Sequence, residues 1–150
     1  MTAALTHDWS TLEAHAARGG SEALAFLEGR LPTAVMEQLL AIGFDRAEVH
    51  AIVLPARTLQ HRRSRKEALT LEESDRVFRL LRVLAATEAV MGNREQALTW
   101  LRQPNSRLDP ASRGNLFAAG TRAPMQLLTT ETGARIVEEL LLQIDEGIYL

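Results

Sequence analysis

At 150 residues, with 46% apolar composition and a net charge of −2, the chain suits one ordinary hydrophobic core or two small interlocked ones and is too apolar for a disordered tail. The absence of cysteine excludes disulfides, thiolate nucleophiles and Cys-based zinc sites, and fits a reducing cytoplasm. Near-neutral charge supplies no general attraction to nucleic acid, so any such affinity has to come from where the charges sit.

Apolar residues recur at three- and four-residue spacing nearly throughout, and alternating β-branched runs are absent, which predicts an all-α fold. Ser10 to Glu13 reads as an S-x-x-E capping box, and Ser21 is placed to cap a second short helix over Leu24 and Leu27, after the Gly19-Gly20 break. Pro32 suits the first turn of the next helix, whose inward residues are Val35, Met36, Leu39 and Leu40 and which stops near Gly43. Asp45 and Glu48 form a D-x-x-E start for a helix with Val49, Ile52 and Val53 inward. Pro55 ends it by disfavouring helical geometry at Leu54.

The helix that begins near Ala56 has a different character. Leu59 is its only large apolar residue, so most of its circumference faces outward. Arg57, Arg62, Arg63, Arg65 and Lys66 carry positive charge between Ala56 and Lys66 with no acid among them. Residues 45–68 hold a net +3, against −3 for residues 1–44 and −2 for residues 69–150. Two short helices across a tight turn, the second mostly exposed, is the helix-turn-helix arrangement. A recognition helix lays its N-terminal side chains against base edges while arginines nearby grip phosphate. The candidate DNA-binding residues are therefore Arg57, Thr58, His61, Arg62, Arg63, Arg65 and Lys66, of which Arg57, His61 and Arg65 share one side at four-residue spacing. A solvated basic face that balances the acidic first 44 residues is the competing reading.

Thr70 and Glu73 form another capping box and open the longest helix, which runs to about Met91, buries Val77, Leu80, Leu81 and Leu84, and ends at Gly92. Glu72 with Arg76 and Asp75 with Arg79 sit at the acid-first i,i+4 spacing, so Arg76, Arg79 and Arg82 read as a solvated, paired face. Asn93 caps a helix containing Ala97, Leu98 and Leu101, closed by Pro104, and residues 104–124 read as an irregular connector. The final helix spans roughly Glu131 to Asp145, with Ile136, Val137, Leu140, Leu141 and Ile144 on one side. Gly147 then releases an apolar tail, Ile148-Tyr149-Leu150, which either contacts a partner or folds back onto the helix.

No HExxH, Gly-rich phosphate loop, G-x-S-x-G elbow or His/Asp cluster occurs, and the four histidines are scattered singly. Neither an enzyme nor a metal protein is expected, and no catalytic residue, metal ligand or cofactor is assigned. No apolar run approaches the roughly 20 residues that span a bilayer, and no basic-then-apolar leader opens the chain. The expected protein is soluble and cytoplasmic, with no membrane partner.

Successive motifs share a likeness. RTL at Arg57 to Leu59, RR at Arg62-Arg63, LTLEESDR at Leu69 to Arg76, ALTWLRQPN at Ala97 to Asn105, TETGARIVEELL at Thr130 to Leu141 and the closing EGIYL resemble the landmarks of the Xre/MbcA/ParS family of bacterial antitoxins. The likeness covers roughly residues 31–150. It implies a variable N-terminal segment over 1–30, a helix-turn-helix DNA-binding unit over 31–68 and a toxin-neutralising helical domain over 69–150. It further implies a type II toxin-antitoxin system. The cognate partner would be a RES-domain toxin that consumes NAD, neutralised by occlusion of its active site, with autorepression through operator DNA and a homodimer within a larger toxin complex. NAD would belong to the partner. Within the neutralising segment the candidate toxin contacts are Thr130, Glu131, Arg135, Glu138, Glu139, Glu146, Ile148, Tyr149 and Leu150. The connector from Ser106 to Pro124 is longer than the short GG-containing link usual in the family. A protein-interaction module without DNA binding, and a stand-alone helix-turn-helix regulator, are the alternatives.

Overall fold

The computed structural model describes residues 9–108 and 122–148, and among these all regular structure is helical. Eight α-helices follow in order: α1 (Trp9–Arg18), α2 (Gly20–Glu28), α3 (Val35–Ile42), α4 (Arg46–Ile52), α5 (Ala56–Ser64), α6 (Leu71–Met91), α7 (Arg94–Arg102) and α8 (Glu131–Asp145). The described residues form two compact units that divide between Arg82 and Val83, inside α6.

In the first unit the periodic apolar faces do what their spacing predicts. Val35, Met36, Leu39 and Ile42 of α3, Val49 and Ile52 of α4, and Val77, Leu80 and Leu81 of α6 are buried, with Leu40 only half-buried. Asp45 caps α4: its side chain accepts from the Glu48 N–H at 2.8 Å, and Glu48 Oε1 accepts from the Asp45 N–H at 2.9 Å. The two serine caps expected earlier do not form helix starts. Ser10 and Ser21 lie inside α1 and α2, and Gly19, at φ 66, occupies the N-cap position of α2 in a left-handed conformation that a side chain would disfavour. Pro32 stands ahead of α3 in a tight turn, its carbonyl accepting from the Val35 N–H at 3.1 Å.

The second unit contains an element absent from the sequence reading. Pro124–Thr129 form a 3₁₀ helix that buries Pro124, Met125 and Leu128, and both α7 and α8 pack on it. A second short 3₁₀ turn spans Ser106–Leu108, and residues 109–121 of the expected connector lie outside the described residues. Asn93 caps α7 through the Gln96 N–H at 2.8 Å, and Thr130 caps α8 through the Gly133 N–H at 3.0 Å.

Candidate nucleic-acid interface

Helices α4 and α5 are separated by Val53, Leu54 and Pro55. Val53 and Leu54 are buried, so their carbonyls need partners within the protein. Arg76 Nη1 donates to the Val53 carbonyl at 3.1 Å, and His50 Nδ1 lies 3.1 Å from the Leu54 carbonyl. Two side chains thus hold the turn that sets the direction of α5. The expected solvated, paired arginine face on α6 holds only in part: Arg76 lies 4.0 Å from Glu72 but also secures the turn, and Arg79 is buried at 8% exposure.

Helix α5 buries Leu59 alone. Its arginines divide into two groups. Arg62, expected to face DNA, instead spans two acids: Nε and Nη2 each lie 3.3 Å from the Glu73 carboxylate, and Nη1 lies 3.5 Å from Glu67 Oε2. Glu73 is 6% exposed and also closes the cap of α6, with Oε1 accepting from the Thr70 N–H at 2.8 Å while Thr70 Oγ1 accepts from the Glu73 N–H at 3.1 Å. Burial pushes the Glu73 carboxyl up, but the hydrogen bonds from Arg62 and Thr70 together with the guanidinium charge outweigh it and leave the group below the ordinary carboxylate value. The hydrogen bond and charge of Glu73 raise Arg62 in turn. Arg63 is likewise committed, pairing with Glu37 of α3 and donating to the Thr33 carbonyl at 3.3 Å. Both pairings correct the expectation that these two guanidiniums project freely from the helix.

The remaining candidates face outward. Arg57, His61, Arg65 and Lys66 are exposed and Thr58 is half-buried, and Arg57, Thr58, Gln60, His61 and Ser64 line one shallow open depression. Gln60 and Ser64 were not singled out from the sequence, because the charge pattern drew attention to arginine. The helix ends in a Schellman turn, with the Lys66 N–H donating to the Arg63 carbonyl at 3.1 Å and the Glu67 N–H to the Arg62 carbonyl at 2.9 Å. Lys66 holds the left-handed position at φ 54 that glycine normally takes, which turns Arg65 and Lys66 out beyond the helix end.

In the second unit, Arg135, Glu139 and Glu146 are exposed on α8 and its C-cap, and Leu142, 56% exposed, falls in the same stripe at positions 135, 139, 142 and 146. Leu142 was missed because it sits among five apolar residues that read as core. Ile148 is 62% exposed, held by a second Schellman turn in which its N–H donates to the Gln143 carbonyl at 3.0 Å. It does not fold back onto α8. Glu131 pairs with Arg135 at 3.7 Å, and Glu138 is half-buried. Thr130 caps α8 and is exposed, and Tyr149 and Leu150 lie outside the described residues. Among the described residues no cluster of His, Asp or Glu is arranged to hold a metal, and no helix is long and apolar enough to cross a membrane.

Comparison with known proteins agrees with this geometry. The antitoxin Xre-like helix-turn-helix domain family matches residues 22–82, from α2 through the first half of α6. Antitoxin Xre of Pseudomonas putida is 44% identical over 98 residues, covering 65% of this chain and 55% of that protein. Antitoxin Xre of Yersinia enterocolitica is 35% identical over 106 residues, covering 69% and 64%, and that of Photorhabdus laumondii 27% identical over 127 residues, covering 83% and 78%. The chain thus spans less than two thirds of the length of the first two relatives. Residues 22–82 match the antitoxin Xre-like helix-turn-helix domain, and over about two thirds of its length the chain is similar to antitoxins Xre.

Proposed function

We propose that this chain is the antitoxin of a type II toxin-antitoxin pair, which binds its operator through α5 and neutralises a RES-domain, NAD-consuming toxin through its second unit. The observation that carries the DNA half is that α5 buries Leu59 alone and turns Arg57, Gln60 and His61 outward, with Arg65 and Lys66 beyond its end. A second helix carried on a rigid turn is the element that enters a major groove. Arg57 near its start and Arg65 and Lys66 at its far end are suited to phosphates on either side of that groove. Arg62 holds the helix against α6 through the buried Glu73, and Arg63 pairs with Glu37 of α3 at the surface. A homodimer would present two such helices to half-sites roughly 34 Å apart.

The toxin half rests on the exposed stripe Arg135, Glu139, Leu142 and Glu146 with Ile148 beyond it. Charged positions around solvent-facing leucine and isoleucine suit a protein partner, because an apolar centre with a polar rim is how such contacts are built. Covering the toxin's active-site entrance would block NAD without any catalytic group on this chain.

The test is co-expression with the adjacent reading frame in a growth assay, paired with titration of the purified chain against its own upstream duplex at several salt concentrations. Rescue of growth and a salt-dependent shift are expected. A chain that leaves growth arrest untouched, or that ignores its upstream duplex even at low salt, would overturn the corresponding half.

A further inference from the structure

The outward face of α5 holds Arg57, Gln60, His61 and Ser64 at i, i+3, i+4 and i+7 spacing, and one depression gathers them. Their chemistry differs. The Ser64 hydroxyl turns back to the His61 carbonyl at 2.9 Å and is occupied within the helix. Arg57 carries a full charge, which is attracted to any duplex whatever its sequence. Gln60 is exposed, is the only carboxamide in the α5 sequence, and makes no side-chain hydrogen bond among the described residues. A neutral side chain displaces no counterions, so what it adds to DNA binding comes through its hydrogen bonds, and those made to a base edge are the ones that depend on sequence.

We infer that Gln60 is a base-reading residue of this antitoxin, recognising an adenine edge in the major groove, while Arg57, Arg65 and Lys66 supply sequence-independent grip. The inference rests on the DNA-binding reading above. A carboxamide pairs with adenine N6 and N7 through one acceptor and one donor, a pattern no other base pair presents in that groove. Gln60 lies midway along the nine-residue helix, next to His61 and one turn from Arg57, so a groove that accepts Arg57 brings base edges within its reach. The two arginines that could crowd this face are drawn away by Glu73 and by Glu37.

The experiment compares the full chain with Q60A and Q60R on the upstream operator duplex and on a scrambled duplex of equal length, across a salt series. Because Gln60 is exposed, both variants keep the fold, which circular dichroism checks directly. Q60A should lower the ratio of operator to scrambled affinity by about 5- to 150-fold, the range of one lost bidentate base contact, with its salt slope unchanged. Q60R, selected against a randomised operator pool, should exchange an A·T preference for G·C at one position in each half-site. An unaltered ratio in Q60A, or equal loss on both duplexes, would overturn the assignment of Gln60 and leave DNA binding standing. A wild-type chain with no affinity for its operator would overturn the DNA-binding reading, and this one with it.

Discussion

A methyl group at position 133 would stand 1.9 Å from the Leu127 carbonyl oxygen and 2.8 Å from its carbon, so the backbone of the Pro124–Thr129 segment rests directly on the first turn of α8. Neither side is a flexible chain end that could yield. G133A should therefore destabilise the protein by about 1–3 kcal/mol, the usual cost of overpacking, seen as a lower urea midpoint. Lys66 shows the opposite case. Its left-handed backbone is a conformation that costs an L-residue about 1–2 kcal/mol, so K66G should raise the unfolding midpoint while weakening the grip on DNA. A gain in stability without loss of affinity would remove Lys66 from the phosphate contacts. The glycine in TETGA is plain in the sequence, but its reason is hidden, since Leu127, which presses on it, lies between the connector over 104–124 and the final helix, where no pattern assigns an element.

The elements α5 and α6 meet through Glu73. Because the folded-state carboxyl titrates below its unfolded value of about 4.3, the unfolded chain binds more protons between the two values. The stabilisation is fully present above that value and is lost as pH falls through the lower folded one. E73Q should unfold at lower denaturant at neutral pH and show a flatter fall in stability below about pH 4.3, measured by urea titration at several pH values. An unchanged acid limb would mean that Glu73 is not tied to Arg62 in solution. Sequence pattern found the Thr70 and Glu73 cap because its partners are three residues apart. It could not find the Arg62 to Glu73 or Arg63 to Glu37 pairs, whose partners lie 11 and 26 residues away and obey no helical spacing.

For the whole molecule, the helical class, the turn between α4 and α5 and the bounds of α6, α7 and α8 were readable, because capping residues and three-to-four spacing are local signals. The 3₁₀ helix at Pro124–Thr129 escaped because three prolines nearby read as a break and its apolar spacing is too short to register. Of the candidate sites, the basic helix was readable as a segment but not in its division of labour, which depends on tertiary partners. The proposed functions should separate accordingly. The triple variant R57A/R65A/K66A should reduce the salt slope of operator binding by up to about 0.9 per lost contact and still rescue growth from the toxin. Removal of Glu146 to Leu150 should do the reverse, and a truncated chain that still rescues growth would make that tail dispensable. One carboxylate oxygen, Glu73 Oε1, accepts from both the Thr70 N–H and Arg62 Nε, so the start of α6 and the seat of α5 share a single atom. Genetically this predicts one-way epistasis: once Glu73 has changed, a second change at Arg62 costs little more, whereas changing Glu73 in an Arg62 variant still removes the cap of α6.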